Sequence, residues 1–151
     1  MSKSFLKTAA FLIAAVLFFV LDRFLKFLAL EGFFDPPIFL FGDIFKFNFA
    51  SNYGIAFSLP LGGPILTIAI SLTVLALLYF LIYLVKQSRK TEALILFALF
   101  LGAVSNLADR LSLGYVVDYL DLKYFTVFNL ADAMIVVSFL GLAGLYFFRK
   151  S

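Results

Sequence analysis

A chain of 151 residues that is 64% hydrophobic and 14% charged, with a mean hydropathy of +1.10, is far more apolar than a soluble domain, whose apolar share is about 45–50%. It reads as an all-α integral membrane protein. Cysteine and histidine are both absent, which removes thiol nucleophiles, disulfides, imidazole bases and the usual zinc ligands, so any hydrolytic chemistry must come from carboxylates or hydroxyls. The net charge of +3 is better explained by where the basic residues fall than by an anionic partner, and nothing points to nucleic acid.

Lys3 and Lys7 precede an apolar run from Thr8 to Leu21 that could pass for the core of a signal peptide. No small-residue cleavage site follows, and apolar residues continue to Leu30. A first transmembrane helix is therefore expected over about residues 5–30, long enough to cross ~30 Å of hydrocarbon. Asp22 lies towards its outer end with Lys26 one turn beyond. That spacing suits an i,i+4 ion pair, or a lysine that snorkels to the interface.

Residues 35–60 differ in kind. Pro36-Pro37 forbids a continuing helix, and Phe45-Lys46-Phe47-Asn48-Phe49 alternates with period two, the signature of a strand. Gly42-Asp43 is expected to turn a hairpin, leaving Phe45, Phe47 and Phe49 on one face, against lipid or a substrate chain, with Lys46 and Asn48 towards water. Ser51-Asn52-Tyr53-Gly54 reads as a turn.

Three more helices are expected over about residues 64–85, 92–111 and 128–148, joined by the basic loop Lys86-Gln87-Ser88-Arg89-Lys90 and by a connection at 111–127. The second helix starts with a tolerated proline and reads as wall. Gly102, Asn106 and Arg110 recur at i+4 on the third, with Asp109 on the same side, and Asp109-Arg110 reads as an adjacent, mutually neutralising pair. Asn129-x-x-Asp132 fits a capping box opening the fourth. No repeat or linker is visible, so residues 1–151 are read as a single membrane domain with a small extracytoplasmic β-hairpin or sheet between helices 1 and 2. Lys3, Lys7, Lys86, Arg89, Lys90, Arg149 and Lys150 fall on one side with only Glu92 among them. The opposite loops hold Glu31, Asp35, Asp43, Asp118 and Asp121 against Lys46 and Lys123. Both termini are therefore expected in the cytoplasm.

The densest chemistry lies between Asn106 and Asp132, where Asp109, Arg110, Asp118 and Asp132 sit at the edges of apolar runs. Ionisable groups at membrane depth each cost about 2.5–3.5 kcal/mol unless paired, wetted or used, and so mark candidate sites. Two carboxylates near an apolar surface resist joint ionisation and share a proton, which suits one to act as acid and the other as base. Paired membrane carboxylates also serve proton relays, so a small proton-coupled transporter is the rival reading, with an inactive scaffold as the third.

Five blocks in order carry a family resemblance: Asp22-x-x-x-Lys26, Asn52-x-Gly54-x-Ala56-Phe57, Asn106-x-x-Asp109-Arg110, Val116-Val117-Asp118-Tyr119 and Phe128-Asn129-Leu130-Ala131-Asp132. Together they resemble the lipoprotein signal peptidases (signal peptidase II), aspartyl endopeptidases of the bacterial cytoplasmic membrane. The resemblance implies that Asp118 and Asp132 are catalytic and that Asp22, Lys26, Asn52, Gly54, Asn106, Asp109, Arg110 and Asn129 bind substrate or support the site. It implies no metal and no cofactor, an active site towards the outer leaflet, and membrane lipid as a partner; a monomer is the default expectation. The implied substrate is a prolipoprotein, cut on the amino side of a cysteine bearing a diacylglyceryl group. The sequence departs from the family pattern at Ile55, Ser105, Thr126-Val127 and Ala133.

Overall fold

A computed structural model describes residues 3–54 and 63–148, with side chains from Phe5 onward. The order of elements is α1 (Lys3–Leu30), β1 (Ile38–Phe41), β2 (Phe45–Asn52), α2 (Gly63–Lys86), α3 (Lys90–Leu113), β3 (Val116–Leu122), β4 (Val127–Phe128) and α4 (Leu130–Phe148). All four expected helices are present, and each is long and apolar enough to cross a membrane. α3 packs against each of the other helices, and α2 rests chiefly on α3. The protein is a multi-pass membrane protein whose exterior is apolar: Ile65, Val137, Phe139 and Leu111 are all more than half exposed, as lipid-facing side chains are.

The hairpin forms as the sequence suggests. Gly42 takes φ +49°, and Ile44 N donates to Phe41 O at 3.1 Å, closing a turn that needs glycine's freedom at its first central position. The connection at 111–127 holds strands the sequence did not announce: it supplies β3 and, with Phe128 from the expected start of helix 4, β4, which complete an antiparallel sheet in the order β1-β2-β3-β4. Its residues Val116-Val117-Asp118-Tyr119 are buried, so they read as a continuous run rather than an alternation and give no period-two signal.

A register shift corrects the expected Phe stripe. Phe47 opposes Leu120 and Ala50 opposes Asp118, so three steps along β2 match two along β3. Such a bulge changes which residues share a face. Phe47 stacks on Phe34 with centroids 4.7 Å apart and joins the cluster around Val117 and Tyr119, whereas Phe49 is exposed. Lys46 and Asn48 turn to Asp121, at 3.4 Å and 2.9 Å. Beyond the bulge Asn52 opposes Val116, which carries it to the side of Asp118.

Candidate active site

Each side chain of the site is set by a short local rule. α3 ends at Gly114, whose φ of +81° and N–H bond to Arg110 O form a left-handed cap, and the chain enters β3 two residues later. α4 begins with the expected capping box: Asp132 N donates to Asn129 Oδ1 at 2.9 Å, and Asn129 N donates back to Asp132 Oδ2 at 3.3 Å. Asp118 on β3 and Asp132 on α4 thereby face one cleft of about 1010 Å³, whose lining also includes Asn52, Asn106, Arg110 and apolar Ile70, Ile135 and Val136.

Amides join the two acids. Asn129 Nδ2 donates to Asp118 Oδ1 at 2.7 Å, and the same residue caps Asp132, so Asn129 touches both. Asn52 Nδ2 donates to Asp118 Oδ2 at 3.0 Å, while its Oδ1 accepts Gly54 N at 3.2 Å and makes the expected turn. Asn106 Nδ2 donates to Asp132 Oδ1 at 2.7 Å. The orientation of that amide is dictated, because Lys26 Nζ and Asn129 Nδ2 both donate to Asn106 Oδ1, at 2.8 Å and 3.1 Å.

Burial pushes the Asp118 carboxyl up to about 7, the charge of Asp132 adds to the rise, and the bonds from Asn52 and Asn129 oppose it. A group so poised changes protonation at neutral pH, as acid–base work requires. Behind the cleft lies a second charged cluster. Lys26 contacts Asp22 at 3.2 Å and Asp109 at 2.7 Å, and Arg23 pairs with Asp109. Of the two readings of Lys26, the ion pair holds and snorkelling does not, since Lys26 is 1% exposed.

The pairing of Asp109 with Arg110 is corrected. Asp109 faces α1 and also accepts Val117 N at 3.3 Å, anchoring the start of β3, whereas Arg110 Nη2 donates to Gly54 O at 2.6 Å. A one-residue offset rotates a helical side chain by about 100°, so neighbours in sequence need not meet. Asp22, Lys26, Asn52, Gly54, Asn106, Asp109, Arg110, Asp118, Asn129 and Asp132 thus come together in one connected network. Ile55, Ala56 and Phe57 lie outside the described residues. Sequence reasoning passed over Arg23, although a third charge beside Asp22 and Lys26 within an apolar helix was signal enough. It gave Tyr119 no role of its own and treated Ser105 only as a departure. Burial and Asp22's charge push the Tyr119 phenol upward and keep it a donor.

Comparisons with known proteins point to one family. The family model described as "Signal peptidase (SPase) II" matches residues 14–148. The chain is 40% identical over 118 residues to the lipoprotein signal peptidase of Caldicellulosiruptor bescii, covering 78% of this chain and 77% of that one. It is 38% identical over 148 residues to that of Caldanaerobacter subterraneus, covering 93% and 97%. A solved structure titled as a bacterial membrane enzyme at 2.3 Å shares the fold, with a TM-score of 0.76 over 94% of this chain and 89% of that one, at 20% identity. With four membrane-length helices, five motif blocks in order and a model match across most of its length, the chain belongs to the signal peptidase II family.

Proposed function

We propose that this protein is an aspartyl endopeptidase in which Asp118 and Asp132 cleave the signal peptide from a lipid-modified prolipoprotein, on the amino side of the modified cysteine. The observation that carries the reading is the sharing of Asn129 by two carboxylates on one cleft with an apolar wall. The ionised member of the pair takes a proton from water as that water attacks the scissile carbonyl. The protonated member donates a hydrogen bond to the developing oxyanion and then supplies the proton that the leaving amine needs. One shared proton suffices for both steps, and the pair titrates as a unit.

Asn52, Asn106 and Asn129 orient the carboxylates, and Arg110 with Gly54 ties α3 to the end of β2. Asp22, Lys26 and Asp109 support the site from behind. The cleft's apolar side suits a signal helix still in the bilayer, with the acyl chains of the modified cysteine in lipid. Both termini are proposed to be cytoplasmic, with the pair at the outer leaflet, and the protein is proposed to act as a monomer among membrane lipids.

Purified Asp118→Asn and Asp132→Asn should each lose cleavage of a diacylglyceryl-modified prolipoprotein while keeping the fold, because an amide retains shape but cannot exchange the proton. The double variant should be scarcely worse than either single, since residues acting as one unit are not additive. Substantial cleavage by the folded double variant would remove the aspartyl mechanism and favour the transporter or scaffold reading.

A further inference from the structure

Building on the reading of Asp118 and Asp132 as the reacting pair, we propose that Asp22 and Tyr119 are positioning residues: they clasp the first turn of α4 from behind and so set the gap between the two acids. A helix leaves its first backbone N–H groups without internal partners, and a capping side chain ordinarily satisfies one or two of them. In α4 every donor of the first turn is taken. Asp132 N and Ala133 N go to Asn129, at 2.9 Å and 3.3 Å. The other two go to remote groups: Leu130 N donates to Tyr119 Oη at 3.1 Å, and Ala131 N donates to Asp22 Oδ1 at 3.1 Å.

Tyr119 Oη in turn donates to that same Asp22 oxygen at 2.9 Å, which closes the clasp. Its geometry bears on the reaction because Tyr119 immediately follows Asp118 on β3 and Ala131 immediately precedes Asp132 on α4. The second Asp22 oxygen accepts Ser105 Oγ at 2.5 Å and lies 3.2 Å from Lys26 Nζ, so the clasp is also fixed to α3. Asp22, Ser105, Tyr119 and Ala131 are all 0% exposed. None of them lines the cleft, so they act through the backbone that carries the acids and not on substrate.

Two variants that leave the formal charge unchanged test this. Tyr119→Phe keeps the ring beside Phe34 and Phe47 but strips Leu130 N of its acceptor, and Ser105→Ala removes one of the two groups that hold the second Asp22 oxygen, leaving Lys26. Arg23 and Lys26 on α1, Asp22 itself, Asp109 and Arg110 on α3, and Lys46 with Asp121 across the sheet stay in place in both, so movement of a pH limb reports spacing and not a missing charge. Against a diacylglyceryl-modified prolipoprotein, Tyr119→Phe should keep KM within about twofold and lose about tenfold in kcat, the scale of one unmet buried donor. Because coupling between the acids splits their titrations, a looser gap should bring the two limbs of the pH–kcat bell together. Ser105→Ala should do the same more weakly, and it decides the matter by the same criteria where Tyr119→Phe does not fold. Wild-type kcat, KM and bell with only a lower Tm, or a loss of kcat with the bell unmoved, would overturn the clasp. Asp118→Asn run in parallel separates the two ideas: residual cleavage there removes the dyad reading whatever Tyr119→Phe does.

Discussion

At Asp118 the surroundings oppose ionisation. Burial and the neighbouring Asp132 raise its carboxyl from 3.8 to about 7, against the pull of two amide donors and Lys26. Between about pH 4 and pH 7 the folded protein therefore holds a proton that the unfolded chain has released, so stability falls as pH rises through that window. The full effect is on the order of 4 kcal/mol as an upper bound. Melting curves across that range should decline with pH in the wild type and decline less in Asp118→Asn; equal slopes would contradict the assignment. Asn52→Ala removes a donor that favours the ionised form, so the alkaline limb of the cleavage profile should move to higher pH while kcat falls. A limb that moves down would show that Asn52 acts in another way.

The acids and their amides were legible at this scale because each stands out from an apolar run, and because the Asn129-x-x-Asp132 spacing carries its own local geometry. Ser105 and Tyr119 were not. A hydroxyl within an apolar segment has no periodic signature, and its partner Asp22 lies 83 residues away from Ser105 and 97 from Tyr119. Only the packing of α1 against α3 and β3 makes those contacts.

Among the elements, α3 and α4 approach most closely beside Asp132, at Gly102. A Cβ built on Gly102 would lie 2.7 Å from Ala131 O and 3.0 Å from Ile135 Cγ1. The nearer atom is backbone in the first turn of α4, next to Asp132, so it cannot swing aside as a side chain would. Membrane helices approach closely at such small residues. Gly102→Ala should therefore push α4 outward, costing about 1–3 kcal/mol by overpacking and lowering kcat. Gly141→Ala on the same interface is the control, since its added carbon would sit an ordinary 3.6 Å from Ile95 Cγ2. If both variants match the wild type in Tm and kcat, the close approach has no consequence for the site. The helices themselves were readable from length and hydropathy. What escaped was β3, whose residues are buried and lack alternation, and the bulge in β2, which no local pattern announces. That bulge matters, since strict alternation from Phe47 would have turned Asn52 away from Asp118.

Over the whole molecule, polarity runs inside out. Among the described residues the largest fully buried side chains are Tyr119, Lys26, Val117, Asn129, Asp22, Asp109 and Ser105, most of them polar or charged, while large apolar residues cover the helices. In water that arrangement would aggregate; in a bilayer the exterior is matched to lipid and the buried polar side chains, Arg110 Nε apart, satisfy one another within. The sheet joins the end of α1 to the start of α2 and the end of α3 to the start of α4. It therefore lies at one end of the bundle, with Asp118 on its β3 and Asp132 beside it in the first turn of α4. The other end holds the α2–α3 turn with Lys86, Arg89 and Lys90, and the start of α1 with Lys7. Positive residues next to membrane helices are retained on the cytoplasmic side, so the basic end should face the cytoplasm and the acids the outer leaflet. Reporter fusions at Ser88 and after Lys150 should read as cytoplasmic, and a fusion at Asp35 as external. Because α3 runs from the α2–α3 turn to the sheet, a Ser88 fusion found outside would invert the bundle. It would put Asp118 and Asp132 at the cytoplasmic leaflet, away from a cleavage site that sits at the outer end of a signal helix still in the bilayer.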